Sequence, residues 1–404
     1  MVDNTEFFRE KRATAVLKHG ILRRYAPVFA SKAGLTTNGR VVFLDGYAGP
    51  GRYDDEFKSP GSPLLFAESA EFVSEFRDVT CFFVEKDDAH YANLEQVMAA
   101  RGDPRLRPLH GTLEQHLHTI LRLADGASLL AFLDPFGTAL ERARLVNDLL
   151  RRRSWPTEVL LHFSLITVAR TGGIVRKIRR EGREPGPAEE ATLANLDRFL
   201  GGDWWRESFS HIAGEDDLAA ATAIAERVAG TFQQQIRDET GYTSVSMPVR
   251  LRPDQVPRYL IVLFTRHPEG VWAFADVMGK ASVEWHGAWR DAEASRVRNR
   301  DLSMGRATLF DELPDLEFDP ETYDRDNFDL WVAEIKRNIV GLLARHRSIR
   351  LRDHAVEVYG TSLGSARIRH VRKAVKELHA SGLIDNDGKN QFERRTTRLL
   401  KPLD

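Results

Sequence analysis

Hydrophobic and polar positions follow two different periods along the first 165 residues. Short apolar runs at 41–44 (VVFL), 81–84 (CFFV), 129–133 (LLAFL) and 158–163 (EVLLHF) punctuate longer stretches with an apolar residue every three or four positions. Unbroken runs of this kind predict strands buried on both faces of a parallel sheet. The spaced stretches predict helices at 64–77, 89–101, 113–123 and 140–151, and an earlier one at 6–31 carries Val16, Leu17, Ile21, Leu22, Tyr25 and Phe29 on one side. Strands alternating with helices imply an α/β fold built on a doubly wound, Rossmann-like sheet.

The alternation stops after residue 165. Residues 166–240 hold few strand candidates and read as a helical insertion, with helices at 191–200 and 216–239 and the charged, Gly/Pro-bearing stretch 176–190 as a loop or lid. Strand signal returns at 259–264 (YLIVLF), and 270–280 reads as the next helix. The first domain is therefore expected to comprise 1–165 and 241–286, split around the insertion. Residues 287–325 are charged and lack apolar periodicity, as a linker does. From 326 to 404 three short helices (330–345, 351–358, 365–381) precede two short strands (383–384, 395–400) around the Asp385–Gly388 turn, a winged-helix-like order.

The polar residues at the strand ends carry the candidate chemistry. Asp45 closes the first strand and is followed by Gly46, Tyr47, Gly49 and Gly51. Glycines there allow a tight turn and close backbone approach at the edge where open α/β sheets bind ligands. Ser62 is a suitable N-cap and Pro63 a suitable first helical residue, opening a helix whose N-terminus favours anionic groups. Glu85 ends the second strand, where a carboxylate can accept both hydroxyls of a ribose. Another strand ends in Asp134-Pro135-Phe136-Gly137. Acid, acid, then Asp-Pro-aromatic at successive strand ends is the layout of an S-adenosylmethionine (SAM) site. There Asp134 could orient an amine or accept a proton, and Pro135 and Phe136 could hold a planar substrate. His110 follows a short strand candidate and could line the adenine pocket, while His162 and Arg170 stand near the end of the 158–163 strand as further substrate-side candidates.

Composition narrows the partners. The chain has 58 Lys+Arg against 59 Asp+Glu, but residues 326–404 carry an excess of six positive charges. A basic module on an acidic body suits a nucleic-acid partner or a merely solvated helix surface. Its cations concentrate on the third helix at Arg367, Arg369, His370, Arg372, Lys373 and Lys376, and dimerisation is another use open to the module. The single cysteine, Cys81, lies in a core strand and excludes an intrachain disulfide or a cysteine-built metal site. Histidine spacing supports no metal site either. No apolar stretch nears the ~20 residues that span a bilayer, and the start lacks a signal-peptide layout, so no membrane and a cytoplasmic location are expected.

Several of these motifs together resemble the three-Cys-motif partner proteins, TcmP. They are Lys18-His19-Gly20-Ile21-Leu22 with Tyr25, the Asp45–Tyr53 turn, Gly61-Ser62-Pro63-Leu64, Glu85 and Leu133-Asp134-Pro135-Phe136-Gly137, with weaker support from 259–278. The resemblance implies a methyltransferase-like protein encoded beside a partner with a three-Cys motif, a radical-SAM-like iron–sulfur protein. The same residues are similar to the adenine-N6 methyltransferases of large-subunit ribosomal RNA. That similarity implies SAM contacts from Lys18, His19, Asp45, Ser62 and Glu85, with Asp134 facing the substrate amine. The chain departs from that group at Phe136 and Gly137, which replace the second proline and the tyrosine of its Asp-Pro-Pro-Tyr motif. The expectation is a SAM-dependent methyltransferase acting on a nucleobase or nucleoside, with N-methylation favoured. Methylation of another small metabolite or natural product, or a non-catalytic partner role, remain the alternatives.

Overall fold

A computed structural model describes residues 13–55, 58–135, 137, 140–210, 218–303 and 318–400. They divide into two compact units, one of residues 22–266 and one of residues 13–21 with 267–400.

In the first unit seven strands form one sheet: β1 (Arg40–Asp45), β2 (Asp78–Glu85), β3 (Leu106–His110), β4 (Ser128–Leu133), β5 (Thr157–Ser164), β6 (Thr243–Val249) and β7 (Tyr259–Thr265). Their order is β3-β2-β1-β4-β5-β7-β6. The first five pair in parallel, and β7 runs antiparallel to both β5 and β6. A reversed strand inserted next to the edge of an otherwise parallel sheet gives the Rossmann-like methyltransferase fold. Strand order reverses about β1, which pairs with β2 on one side and β4 on the other, so a ligand crevice opens at their carboxyl ends. The apolar runs become the sheet core as expected: Val41 to Leu44 and Leu129 to Leu133 are buried throughout.

The helices are α1 (Ala13–Ala33), α2 (Ser62–Phe72), α3 (Asp88–Ala99), α4 (Leu113–Leu123), α5 (Arg142–Arg144, continuing as a π-helical turn over Leu145–Leu150), α6 (Leu165–Glu181), α7 (Pro187–Leu200) and α8 (Leu218–Thr240). Two local expectations change here. Gly61, not Ser62, is the N-cap of α2, so Ser62 is already helical and its hydroxyl does not cap. The 176–190 stretch is largely helix, since α6 continues to Glu181 and ends on Gly182 in the left-handed conformation. The short link to α7 is fixed by Arg183, whose Nη1 and Nη2 donate to Glu189 Oε2 and Oε1 at 2.7 and 2.8 Å. Strand β6 had no counterpart in the sequence reading, because TSVSMPV at a sheet edge alternates buried and half-buried positions and never makes an apolar run.

At the amino end of β5, Glu158 is buried between two donors. Tyr25 Oη donates to Oε2 at 2.7 Å and Thr265 Oγ1 to Oε1 at 2.6 Å. Burial pushes the Glu158 carboxyl up to about 6 despite both bonds.

The second unit contains α9 (Pro268–Ser303), α10 (Pro320–His346), β8 (Ser348–Arg350), α11 (Ala355–Tyr359), α12 (Ile368–Ala380) and β9 (Thr396–Arg398). The helix expected at 270–280 is thus 36 residues long, runs through residues 287–303 of the expected linker and groups with the C-terminal unit rather than the sheet. Of the rest of that linker, 304–317 lies outside the described residues and 320–325 is the first part of α10. β9 pairs with β8, and the expected 383–384 strand is reduced to one bridge, Ile384 to Leu399. Two contacts lock α12 to α9: Asp276 Oδ1 accepts the Ile368 N–H at 2.9 Å, and Gly279 has no room for a side chain beside the Ala366 carbonyl. His370, expected on the helix surface, is fully buried and its Nδ1 accepts the Arg367 N–H at 2.8 Å.

Candidate active site at the carboxyl edge of the sheet

Three acids meet where β1, β2 and β4 end. Asp45 is completely buried, and its Oδ1 accepts the Tyr47 N–H at 3.2 Å. Its Oδ2 is also buried and finds no hydrogen-bond partner among the described residues. Burial raises the Asp45 carboxyl to about 7; the charges of Asp134 and Glu85 add to that, while the Ser62 hydroxyl and the Tyr47 N–H oppose it. The Ser62 hydroxyl thus lies beside the acid, inside the helix rather than at its cap.

The glycine turn is bolted to both neighbouring strands. Gly46 N–H donates to the Phe132 carbonyl of β4 at 3.0 Å, and Ala48 N–H to the Val84 carbonyl of β2 at 2.9 Å. Gly49, at φ 64°, donates its N–H to Glu85 Oε2 at 2.7 Å. Glu85 Oε1 accepts the Asp87 N–H at 2.8 Å. Both carboxylate oxygens are thereby oriented, and each keeps a lone pair for a further donor. Gly51 (φ 83°) gives its carbonyl to the Gly61 N–H at 2.9 Å, and a Cβ on Gly61 would stand 3.0 Å from that oxygen. The close crossing thus favours glycine at 61.

Beside β2, His110 pairs in register with Glu85. Its ring stacks on Tyr91 with centroids 4.7 Å apart, and its Nε2 lies 2.9 Å from Asp88 Oδ1. The aromatic pair stands next to the acid that suits a ribose.

On the other side, β4 and β5 are in register at Leu133 and Leu161, so the next residues of each, Asp134 and His162, come together. His162 Nδ1 is 3.2 Å from Asp134 Oδ1, and the imidazole meets the Tyr259 ring edge-on at 4.1 Å. Tyr53, buried in the turn after Gly51, feels the Asp134 charge; burial first and then that charge push its phenol well up. The edge can thus hold a cationic ligand between fixed carboxylates, with a carboxylate–imidazole pair alongside.

The structure brings Asp45, Gly46, Tyr47, Gly49, Gly51, Ser62, Glu85, His110, Asp134 and Pro135 to this edge. Phe136 lies outside the described residues. Lys18 and His19 are both buried in the stretch of α1 that groups with the second unit. His162 was only a lesser candidate in the sequence, and its pairing with Asp134 follows from strand register, which no local motif encodes.

No protein-family model matches the chain, and no curated protein does. Among solved structures, a Staphylococcus aureus protein described as a caffeoyl-CoA O-methyltransferase is similar at 10% identity, over 59% of this chain and 82% of that one, with a TM-score of 0.29. At that score the likeness carries no argument, and the fold stands on strand order and direction. Among the described residues no helix is long and apolar enough to cross a membrane.

Proposed function

We propose that the chain is a SAM-dependent methyltransferase whose acceptor is a nucleobase or nucleoside, methylated on nitrogen. The observation that carries this is the convergence of Asp45, Glu85 and Asp134 around a glycine turn, with one buried Asp45 oxygen that no described residue hydrogen-bonds. A ligand bearing both an ammonium and a sulfonium fits such an acid-rich edge. Glu85 would hold the ribose hydroxyls, the His110–Tyr91 face the adenine, and Asp45 the polar groups nearer the turn. Lys18 and His19 enter through the ribosomal RNA methyltransferase resemblance alone.

SAM supplies a methyl group already activated by its sulfonium, so the protein's part is alignment and management of one proton. In this reading Asp134 accepts a hydrogen bond from an acceptor N–H and draws the proton as nitrogen takes the methyl. His162 Nδ1 lies 3.2 Å from its Oδ1, so the imidazole would sit beside the carboxylate during transfer. Phe136, two residues after Asp134 in the chain, would supply an aromatic face for a planar base. The TcmP resemblance further proposes a three-Cys-motif protein as partner, with the winged-helix-like order of the second unit as a surface for it.

Calorimetric titration of the full chain with SAM tests the cofactor half, and absence of binding overturns it. Transfer of a labelled methyl group from SAM to nucleosides or RNA, compared with a phenol such as catechol, tests the acceptor half. Transfer to the phenol alone would replace nitrogen by oxygen as the accepting atom.

A further inference from the structure

We propose that His162 is a positioning residue for methyl transfer: its Nδ1–H holds the Asp134 carboxylate in the orientation that receives the acceptor's proton. The proposal rests on the function above and adds a residue to its machinery. Around position 162, β5 is apolar and buried, at Val159, Leu160, Leu161 and Phe163 alike. An imidazole in that run costs desolvation that an aliphatic side chain would not. The Asp134 carboxylate offsets that cost, since Nδ1 stands 3.2 Å from its Oδ1.

The sheet leaves the ring little freedom. β5 lies between β4 and β7, with Leu161 paired to Leu133 on one side and His162 to Ile261 on the other. Tyr259 comes two residues before Ile261, on the same face of β7, and meets the imidazole edge-on at 4.1 Å. Phe163, the next residue of β5, belongs to the core on the opposite face. The His162 and Asp134 side chains keep 14% and 15% of their surface, so neither is sealed from a ligand in the crevice.

An ionised carboxylate only accepts hydrogen bonds, so the ring nitrogen facing it carries the hydrogen and Nε2 is the bare nitrogen of the neutral imidazole. Three acids meet at this edge, and the charge of Asp134 reaches Asp45. Backbone donors hold the other two: the Tyr47 N–H on Asp45, and the Gly49 and Asp87 N–H groups on Glu85. His162 is the side-chain counterpart of those donors on Asp134. As the acceptor nitrogen takes the methyl, the S–CH3 bonding pair stays on sulfur and the N–H proton passes to Asp134. His162 keeps its own proton throughout.

Two substitutions divide the properties of the imidazole. His162→Asn carries an N–H donor in the place of Nδ1, because each nitrogen is bonded to the γ carbon. His162→Phe keeps a ring against Tyr259 and has no donor. With labelled SAM and nucleosides or RNA, His162→Phe and His162→Ala should lose about tenfold in single-turnover transfer, and His162→Asn should stay within about threefold of wild type. SAM affinity by calorimetry should hold within about twofold in all three. Added to Asp134→Asn, His162→Ala should cost less than about twofold more, because it acts through that carboxylate. A further readout needs no acceptor. In 15N spectra of the histidine-labelled, ligand-free chain at about pH 8, Nδ1 of His162 should be the protonated nitrogen and should shift in Asp134→Ala. The His162 signals are those missing from His162→Asn. Rescue by Phe rather than Asn, additive losses in the double variant, or a proton on Nε2 alone would each overturn the proposal while SAM binding stands. Absence of SAM binding by the wild type would overturn the methyltransferase reading, and the positioning role with it.

Discussion

Gly49 donates its backbone N–H to Glu85 Oε2 at 2.7 Å, tying the turn after β1 to the acid that ends β2. With the Asp87 N–H on the other oxygen, the carboxylate is fixed from two sides before any ligand arrives. The same bond makes the turn and the acid one unit, so damage to either disturbs both.

Glu85→Gln should accordingly weaken SAM binding by about 1–3 kcal/mol, because an amide NH2 must then face one of two backbone N–H donors. Calorimetry checks it; an unchanged affinity removes Glu85 from the site.

Asp45 predicts a pH dependence with a definite sign. Its carboxyl stands at about 7 in the folded chain against 3.8 ordinarily, so native stability falls as pH rises between those values, and the loss is complete above pH 7. A cationic ligand favours the ionised form. SAM affinity should therefore rise about tenfold between pH 6 and pH 8, with a proton released on binding at the lower pH. Asp45→Asn should flatten the profile. Calorimetry at the two pH values in buffers of different ionisation enthalpy measures both quantities, and a flat wild-type profile would exclude Asp45 ionisation from binding.

Much of this edge was legible in the chain because strands buried on both faces announce themselves. Val41–Leu44 and Leu129–Leu133 are continuous apolar runs, and the residue after each run is placed by the fold itself. What stayed hidden depends on long-range register or on half-exposed surfaces. Asp134 meets His162 only because Leu133 pairs with Leu161. Ser62 looked like a cap since local sequence cannot show Asp45 beside it. The end of α9 was missed because a helix with a largely polar surface has no apolar period to read.

Asp134→Asn should fold and bind SAM normally while methyl transfer falls by about 10²-fold, since an amide accepts a hydrogen bond but is a poor proton acceptor. Single-turnover transfer of labelled methyl, set beside SAM calorimetry, separates the two effects. Near-wild-type transfer would reduce Asp134 to an orienting or structural role.

Glu158→Gln gives a stability test far from the strand-end acids. The folded carboxyl stands at about 6 against 4.5 ordinarily, so its ionisation costs stability progressively as pH rises through that window. Relative to wild type, the melting temperature of the variant should improve as pH is raised from 4.5 to 7. A constant difference across that range would show that Glu158 ionises as readily folded as unfolded.

In the second unit, Gly279→Ala places a Cβ 2.5 Å from the Ala366 carbonyl oxygen. A loss of about 1–3 kcal/mol is expected, as for other overpacked contacts. Chemical denaturation followed by tryptophan fluorescence measures it, and a neutral substitution would mean that α9 can shift away from the α12 start.

The position of β7 sets a schedule for synthesis. Val159 on β5 is matched to Phe264 on β7, so the strand that covers this edge emerges only after all of α6, α7 and α8. At ~5–20 residues per second a ribosome needs about 5–20 seconds to deliver it. For that interval the nascent sheet ends in an uncovered apolar strand with unpaired backbone groups, a template for wrong pairing. The insertion that completes the mature unit is therefore also a delay during which the half-made protein needs shelter.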